Sequence, residues 1–319
     1  MALLIAFNKE LDKVIYKKMN IFRTRAFGLF AALMTVTIWA VFLLATRFAV
    51  KGNFTVEEVL LLRLVPAALL MSPLILKFDL IPRGQSWSRS LMLMIGASAI
   101  FPYIVSTGLA YAPASDGGAL APGMLPFWTA LAAYFLAGER PGKFRKFGLL
   151  MILTGAIFVG LWQIVIGSSD GTWKGHLMFL TGSGLFAIYS VVFRQSGLSP
   201  MHGLVIGLFW GAIFITPLMF LSGNVSFADV GFRDILIMTI LQSFIIGILA
   251  TILFNYGVQI LGAAQTGAFG ALTPILAFLG GIIFLDEIVT PSKFFGVLLV
   301  ASGVFLASGI LDRPKLKQD

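Results

Sequence analysis

The chain has 319 residues and a formal net charge of +9, yet only 12% of its residues are charged, 58% are hydrophobic and the mean hydropathy is +0.95. Globular domains carry roughly twice that charged fraction, so composition excludes a water-soluble protein. The absence of cysteine excludes disulfides and Cys-ligated metals and leaves the redox compartment open.

In chain order, the first twenty residues place Leu4, Phe7, Leu11, Val14 and Ile15 at helical spacing beside Lys9, Lys13 and Lys17. This is the pattern of an amphipathic helix lying in a membrane interface. The apolar residues precede the charges and no cleavage pattern follows, which argues against a signal peptide. Translation from Met19, which would leave residues 1–18 out of the protein, is an equal alternative. Ten apolar stretches then follow, over 26–50, 56–76, 88–111, 116–137, 146–166, 175–193, 202–222, 234–259, 264–285 and 293–311. Each is long enough to cross a hydrocarbon layer of about 30 Å as a helix. No water is present at that depth, so backbone groups must pair within their own segment, and long stretches without alternation are helices rather than barrel strands. The connections, such as "KGNFT" and "GSSDGT", are short and bear glycine or polar residues.

Basic residues set the orientation. With the N-terminus in the cytoplasm, 17 Lys and Arg fall on the inner side and 5 on the outer, leaving Arg63 inside the second span. That bias predicts cytoplasmic termini, and the net charge then reflects a basic cytoplasmic face beside anionic lipid, with no nucleic-acid partner required.

The chain also repeats itself. A shift of 148 pairs Pro126 with Pro274, Glu139 with Glu287, Gly148 with Gly296 and Gly155 with Gly303, and a shift of 147 pairs "WAVFLLATR" (39–47) with "FAIYSVVFR" (186–194). A tandem duplication explains this register. Each copy holds five spans, an odd number, so the second enters the membrane inverted. Inverted repeats are an architecture of alternating-access transporters, with the substrate site near mid-membrane.

Trp39, Ala40 and Phe42 in the first span, Arg63 in the second, "PFW" at 126–128 and "GER" at 138–140 before a glycine-spaced fifth span together resemble the EamA family of the drug/metabolite transporter superfamily. The resemblance covers 26–311. It implies an all-α membrane protein with ten transmembrane helices as two inverted five-helix repeats, 26–166 and 175–311, flanked by a cytoplasmic segment 1–25 and a cytoplasmic tail 312–319. It also implies a bacterial inner-membrane location and export of small metabolites such as amino acids. The second copy departs from the pattern, with Phe186 for the tryptophan and "DEI" at 286–288 for "GER".

Several side chains are candidates for a function. Trp39, Phe42, Tyr103, Trp128, Tyr189, Asn255 and Tyr256 offer stacking faces and hydrogen-bonding tips for a substrate cavity, against the plainer use of each in packing or as an interface anchor. Arg63, about seven residues into its span, either contacts an anionic group of the substrate or snorkels and pairs with Glu57 or Glu58. Glu139 and Glu287 stand just before the fifth and tenth spans, where helix N-termini favour an anion; capping is the expectation, ion coupling the alternative. All fourteen acids fall in loops, tails or span ends, and His176 and His202 are also terminal, so no titratable relay crosses the bilayer. Gly203, Gly207 and Gly211 suggest close helix packing. Pro102, Pro126 and Pro274 suggest kinks.

No HExxH, Walker lysine or intramembrane aspartate pair is present, which argues against an enzyme. The reading is a secondary exporter of carboxylate-bearing metabolites without metal or cofactor. The alternatives are efflux of lipophilic drugs and transport of nucleotide sugars or lipid-linked sugars. Its expected partners are a small-molecule substrate and the lipid bilayer, with a homodimer as a candidate assembly.

Overall fold

The computed structural model describes residues 24–82, 84, 86–161, 170–261 and 263–312. The N-terminal amphipathic stretch and the last residues of the tail lie outside this range. Among the described residues fourteen α-helices follow one another: α1 (Arg25–Lys51), α2 (Val56–Met71), α3 (Trp87–Leu93), α4 (Ile100–Tyr111), α5 (Ala114–Leu120), α6 (Leu125–Ala137), α7 (Lys143–Ala156), α8 (Thr172–Ser196), α9 (Pro200–Leu221), α10 (Phe232–Thr239), α11 (Ala250–Leu261), α12 (Ala263–Phe269), α13 (Leu272–Leu285) and α14 (Pro291–Ala307). The described residues contain no strand. π-Helical turns at Met94–Ser98 and Ile240–Leu249 join α3 to α4 and α10 to α11, and another, Ile157–Leu161, extends α7.

Eight continuous helical stretches among the described residues are long and apolar enough to cross a membrane. Of the most apolar part of each, no more than 53% is buried inside the protein. Leu76, Leu221, Phe135 and Phe284 are all more than 70% exposed, and an outward surface of this kind is at home in lipid, where no hydrophobic penalty applies.

The two remaining apolar stretches differ from the sequence expectation. One, α14, is a single helix of 17 residues. The other is broken, because α5 and α6 are separated by a turn over 121–124. Pro126 is therefore in the first turn of α6 rather than inside a kinked helix, a position where its missing N–H is tolerated. Pro274 is likewise in the first turn of α13, after the break that separates it from α12, and Pro102 is in the first turn of α4, after the break at Ala99. The expected kinks are thus interruptions. In the first of them the freed Ala121 carbonyl accepts a hydrogen bond from Ser183 Oγ of α8 at 2.7 Å, which satisfies a group that lipid could not.

The helix ends show the same register as the sequence. At the end of α6, Gly138 is left-handed (φ 66°) and the Glu139 amide donates to the Ala133 carbonyl. At the end of α13, Asp286 is left-handed (φ 52°) and the Glu287 amide donates to the Gly281 carbonyl, 148 residues further on. Aspartate tolerates this conformation better than most side chains, so the change from "GE" to "DE" keeps the cap.

α7 and α14 lie antiparallel at backbone contact. A Cβ on Gly155 would meet the Gly296 carbonyl oxygen at 2.6 Å and Val300 at 2.8 Å, while one on Gly303 would meet the Gly148 carbonyl oxygen at 2.7 Å and Ile152 at 2.8 Å. Gly155 thus faces the repeat counterpart of Gly148, and Gly148 faces the repeat counterpart of Gly155. On α9, Gly203 faces Phe193, Gly207 faces Ser98, and Gly211 faces Ala99 and Leu64, as the spacing predicts.

Candidate functional site

Between the helices is a cavity of about 240 Å³. Its wall is mainly aromatic and aliphatic, and among its described lining residues Arg63 is the single charged one. Five of the residues singled out in the sequence meet there: Trp39, Phe42, Arg63, Tyr189 and Asn255. Trp39 and Phe186 approach edge to face at 6.5 Å, and Phe254 lies 5.4 Å from Trp39. Trp39 with Phe186 and Phe42 with Tyr189 are repeat pairs at a shift of 147, so the duplication brings equivalent aromatic residues of both repeats to the one cavity.

The other three are elsewhere. Tyr103 donates its hydroxyl hydrogen bond to Glu57 Oε1 at 3.2 Å. Trp128 packs edge to face on Phe127, with its indole nitrogen buried. Tyr256 is 38% exposed and packs against Phe27. Sequence reasoning missed Phe101, Phe186, Phe193 and Phe254, of which only Phe186 carried a signal, as the counterpart of Trp39.

Arg63 is held in an unusual setting. Its guanidinium carbon lies 5.0 Å from the centre of the Phe42 ring, and Nη1 is buried without a hydrogen-bond partner. The pairing with Glu57 or Glu58 does not occur. Glu58 instead closes a capping box with Thr55 and accepts from the Ser226 and Phe227 amides at 3.1 and 2.6 Å, while Glu57 accepts from Tyr103 and Asn224. A cation–π contact contributes about 0.5–2 kcal/mol, whereas an unpaired cation in the membrane interior costs at least ~2.5–3.5 kcal/mol. The protein alone therefore leaves this cation under-compensated.

The cavity is placed asymmetrically. Toward the end of the bundle that carries the α1–α2 turn at Gly52, its lining stops at Val105, six residues before the end of α4 at Tyr111. Toward the opposite end, which carries Gly142, it reaches Gly203 and Phe193, each three residues from a helix terminus. Between the cavity and the Gly52 end lies a band of polar ties. Gln242 donates to Thr46 Oγ1 at 2.9 Å, Arg47 donates to the Leu109 carbonyl, and Asp116 pairs with His176 at 2.9 Å and Lys293 at 2.8 Å.

Glu287 belongs to the same band and corrects the sequence expectation. Its carboxylate accepts from the first-turn amides of α5, Ala114 N at 2.6 Å and Ser115 N at 3.0 Å. It does not cap the helix that follows it, whose N-cap is Thr290, accepting from Lys293 N. The anion does meet a helix N-terminus, but one 173 residues away, because the chain turns back on itself there. Asp116 and His176 are at span ends as the sequence indicates, yet are only 1% and 0% exposed, which their position along the chain did not reveal.

The EamA-like transporter family matches this chain twice, over residues 26–161 and 173–309. The chain belongs to the EamA-like transporter family. It is 26% identical over 238 residues to the uncharacterized transporter YyaM of Bacillus subtilis (strain 168), an alignment that covers 70% of this chain and 74% of that protein. One solved protein structure superposes with a TM-score of 0.61 at 17% identity, covering 91% of this chain and all of the other, a likeness of fold. An EamA-like protein is a membrane transporter.

Proposed function

We propose that this EamA-like protein exports small carboxylate-bearing metabolites by alternating access. It would do so from a bacterial inner membrane, with both termini in the cytoplasm and ten spans in two inverted five-helix repeats. The antiparallel α7–α14 contact, whose glycine pairs Gly155–Gly296 and Gly148–Gly303 exchange under the repeat shift, supports the inverted pairing. The paired breaks before Pro126 and Pro274 support it too. With the basic loops inside, the Gly142 end is cytoplasmic and the Gly52 end is outside. The cavity, which reaches toward the Gly142 end, then belongs to an inward-open arrangement that takes up solute from the cytoplasm.

The observation that carries the substrate class is Arg63, the single charge on an otherwise apolar and aromatic wall, with an unmatched buried N–H. A carboxylate there gains a charge-assisted hydrogen bond, while a lipophilic cation meets repulsion. Ser98, Ser190 and Asn255 add neutral partners for an amino or hydroxyl group, and the aromatic wall suits an apolar body. Over-expression is expected to confer resistance to toxic amino-acid analogues and to enrich carboxylated metabolites in the medium. Arg63→Gln is expected to abolish both while leaving the membrane level of the protein unchanged. Resistance confined to quaternary ammonium dyes would favour the lipophilic-drug reading instead.

A further inference from the structure

Asp116, His176 and Lys293 form a buried cluster that substrate selection does not use. His176 is fully buried on α8, and both of its ring nitrogens face acceptors: Nδ1 is 3.1 Å from the Gly160 carbonyl oxygen and Nε2 is 2.9 Å from Asp116 Oδ2. A carbonyl oxygen cannot donate, and an ionised carboxylate cannot either. A neutral imidazole has one N–H, so beside a carboxylate it would leave a bare lone pair against one of these oxygens. The arrangement is satisfied only when the pair holds one further proton. Lys293 Nζ lies 2.8 Å from the other carboxylate oxygen, an ion pair in which the carboxylate accepts from both sides, and the proton of the pair is then on the ring.

We infer that Asp116 and His176 form a proton-binding site whose occupied form locks the Gly52 end of the protein closed. The cluster ties together three separate elements, with Asp116 on α5, His176 on α8 and Lys293 on α14, and a fourth supplies the Gly160 carbonyl after α7. The other charged groups facing it are Arg47 from α1, which lies within electrostatic reach of Asp116 and Glu287, and Glu287 itself, already bound to the α5 amides. These two acids and two bases balance, so the imidazolium is the variable charge. Lys293 is 18% exposed and brings the cluster to the edge of solvent at the Gly52 end. Loss of the proton removes a charge-assisted hydrogen bond and sets a lone pair against an acceptor, which weakens the tie between α5 and α8. Acid therefore holds this end shut, and alkali releases it.

That the Gly52 end faces outward rests on the topology proposed above; the protonation itself does not, so the two are tested separately. The chain has two histidines, and a His202→Gln protein labelled with ¹⁵N-histidine reports His176 alone. Two protonated ring nitrogens at pH 6 are expected in the purified protein, and one bare nitrogen at that pH overturns the proposal. For the lock, Val105→Cys in the otherwise cysteine-free chain is modified by an impermeant thiosulfonate on right-side-out vesicles, at external pH 6 and 8.5. Its rate is normalised to that of the exposed Lys51→Cys, which corrects for the titration of an exposed thiol, and the two variants below correct for that of a buried one. A normalised rise of about tenfold is expected, together with loss of the pH dependence when His176→Gln or Asp116→Asn is added. A flat profile in the parent, or the same rise in both variants, overturns the lock even if the ring is charged. An inverted topology would show instead as failure of Lys51→Cys to react from outside.

Discussion

Replacing Gly155 by alanine sets two effects of opposite sign against each other. In a helix interior alanine is favoured over glycine by roughly 0.5–1 kcal/mol, so an isolated α7 would gain. In the folded protein the new Cβ would stand 2.6 Å from the Gly296 carbonyl oxygen and 2.8 Å from Val300, where ordinary contact starts at 3.4 Å. Two of these near atoms are backbone, so α7 and α14 must separate by several tenths of an ångström along their whole crossing. Overpacking of this kind costs about 1–3 kcal/mol, and the net expectation is a loss of about 1–2 kcal/mol. Gly303→Ala should lose a similar amount, because its Cβ would stand 2.7 Å from the Gly148 carbonyl oxygen in the equivalent contact. Gly184, in the middle of α8, is the control: its nearest neighbour is 3.9 Å away, so Gly184→Ala should be neutral or slightly stabilising. The assay is thermal or denaturant unfolding of the purified protein in one detergent. A higher melting temperature for Gly155→Ala, or markedly unequal losses at Gly155 and Gly303, would refute the packing argument and the symmetry drawn from it.

Two further outcomes follow from the ends of the bundle. Glu287→Gln keeps one acceptor for the α5 amides but turns an NH₂ toward the second, losing a charge-assisted hydrogen bond and leaving a buried N–H unmatched; a destabilisation of about 2–4 kcal/mol is expected in the same unfolding assay. Unchanged stability with abolished transport would make Glu287 an ion-coupling group instead. Asn53→Cys should react with an impermeant maleimide in intact cells and Ser86→Cys only after permeabilisation, since the two stand at opposite ends of the bundle and both are exposed; the reverse pattern would overturn the orientation.

Eight of the ten expected spans were legible in the sequence because lipid imposes one length and one composition on them, while the stretch expected over 116–137 is broken and the one expected over 293–311 is a helix of 17 residues. The duplication was legible too, and it reached further than the fold. Trp39, Phe42 and Tyr189 of the cavity wall were singled out without coordinates, and the repeat carried a signal for Phe186 that was not used. What composition and spacing do not encode is rotation about each helix axis, and that decided the rest. Tyr103 turns to Glu57 and Tyr256 to Phe27, while Phe193 and Phe254, indistinguishable in sequence from lipid-facing phenylalanines, turn inward. Burial at span ends was equally hidden. Asp116 and His176 read as span-end residues, and nothing in their spacing shows that three elements close over them. Glu287 showed its chemistry but not its helix, since a contact across 173 residues depends on the whole topology.

The most direct test is binding to the purified protein, measured by titration calorimetry for apolar α-amino and α-keto acids and for the amide of each. With Arg63 matched by a carboxylate, the acids are expected to bind about ten to a hundredfold more tightly than their amides, and Arg63→Gln is expected to bring the two to parity while the protein stays folded. Amides that bind as tightly as the acids, or a preference for the acid that survives Arg63→Gln, would contradict the assignment of Arg63 as the group that selects the solute.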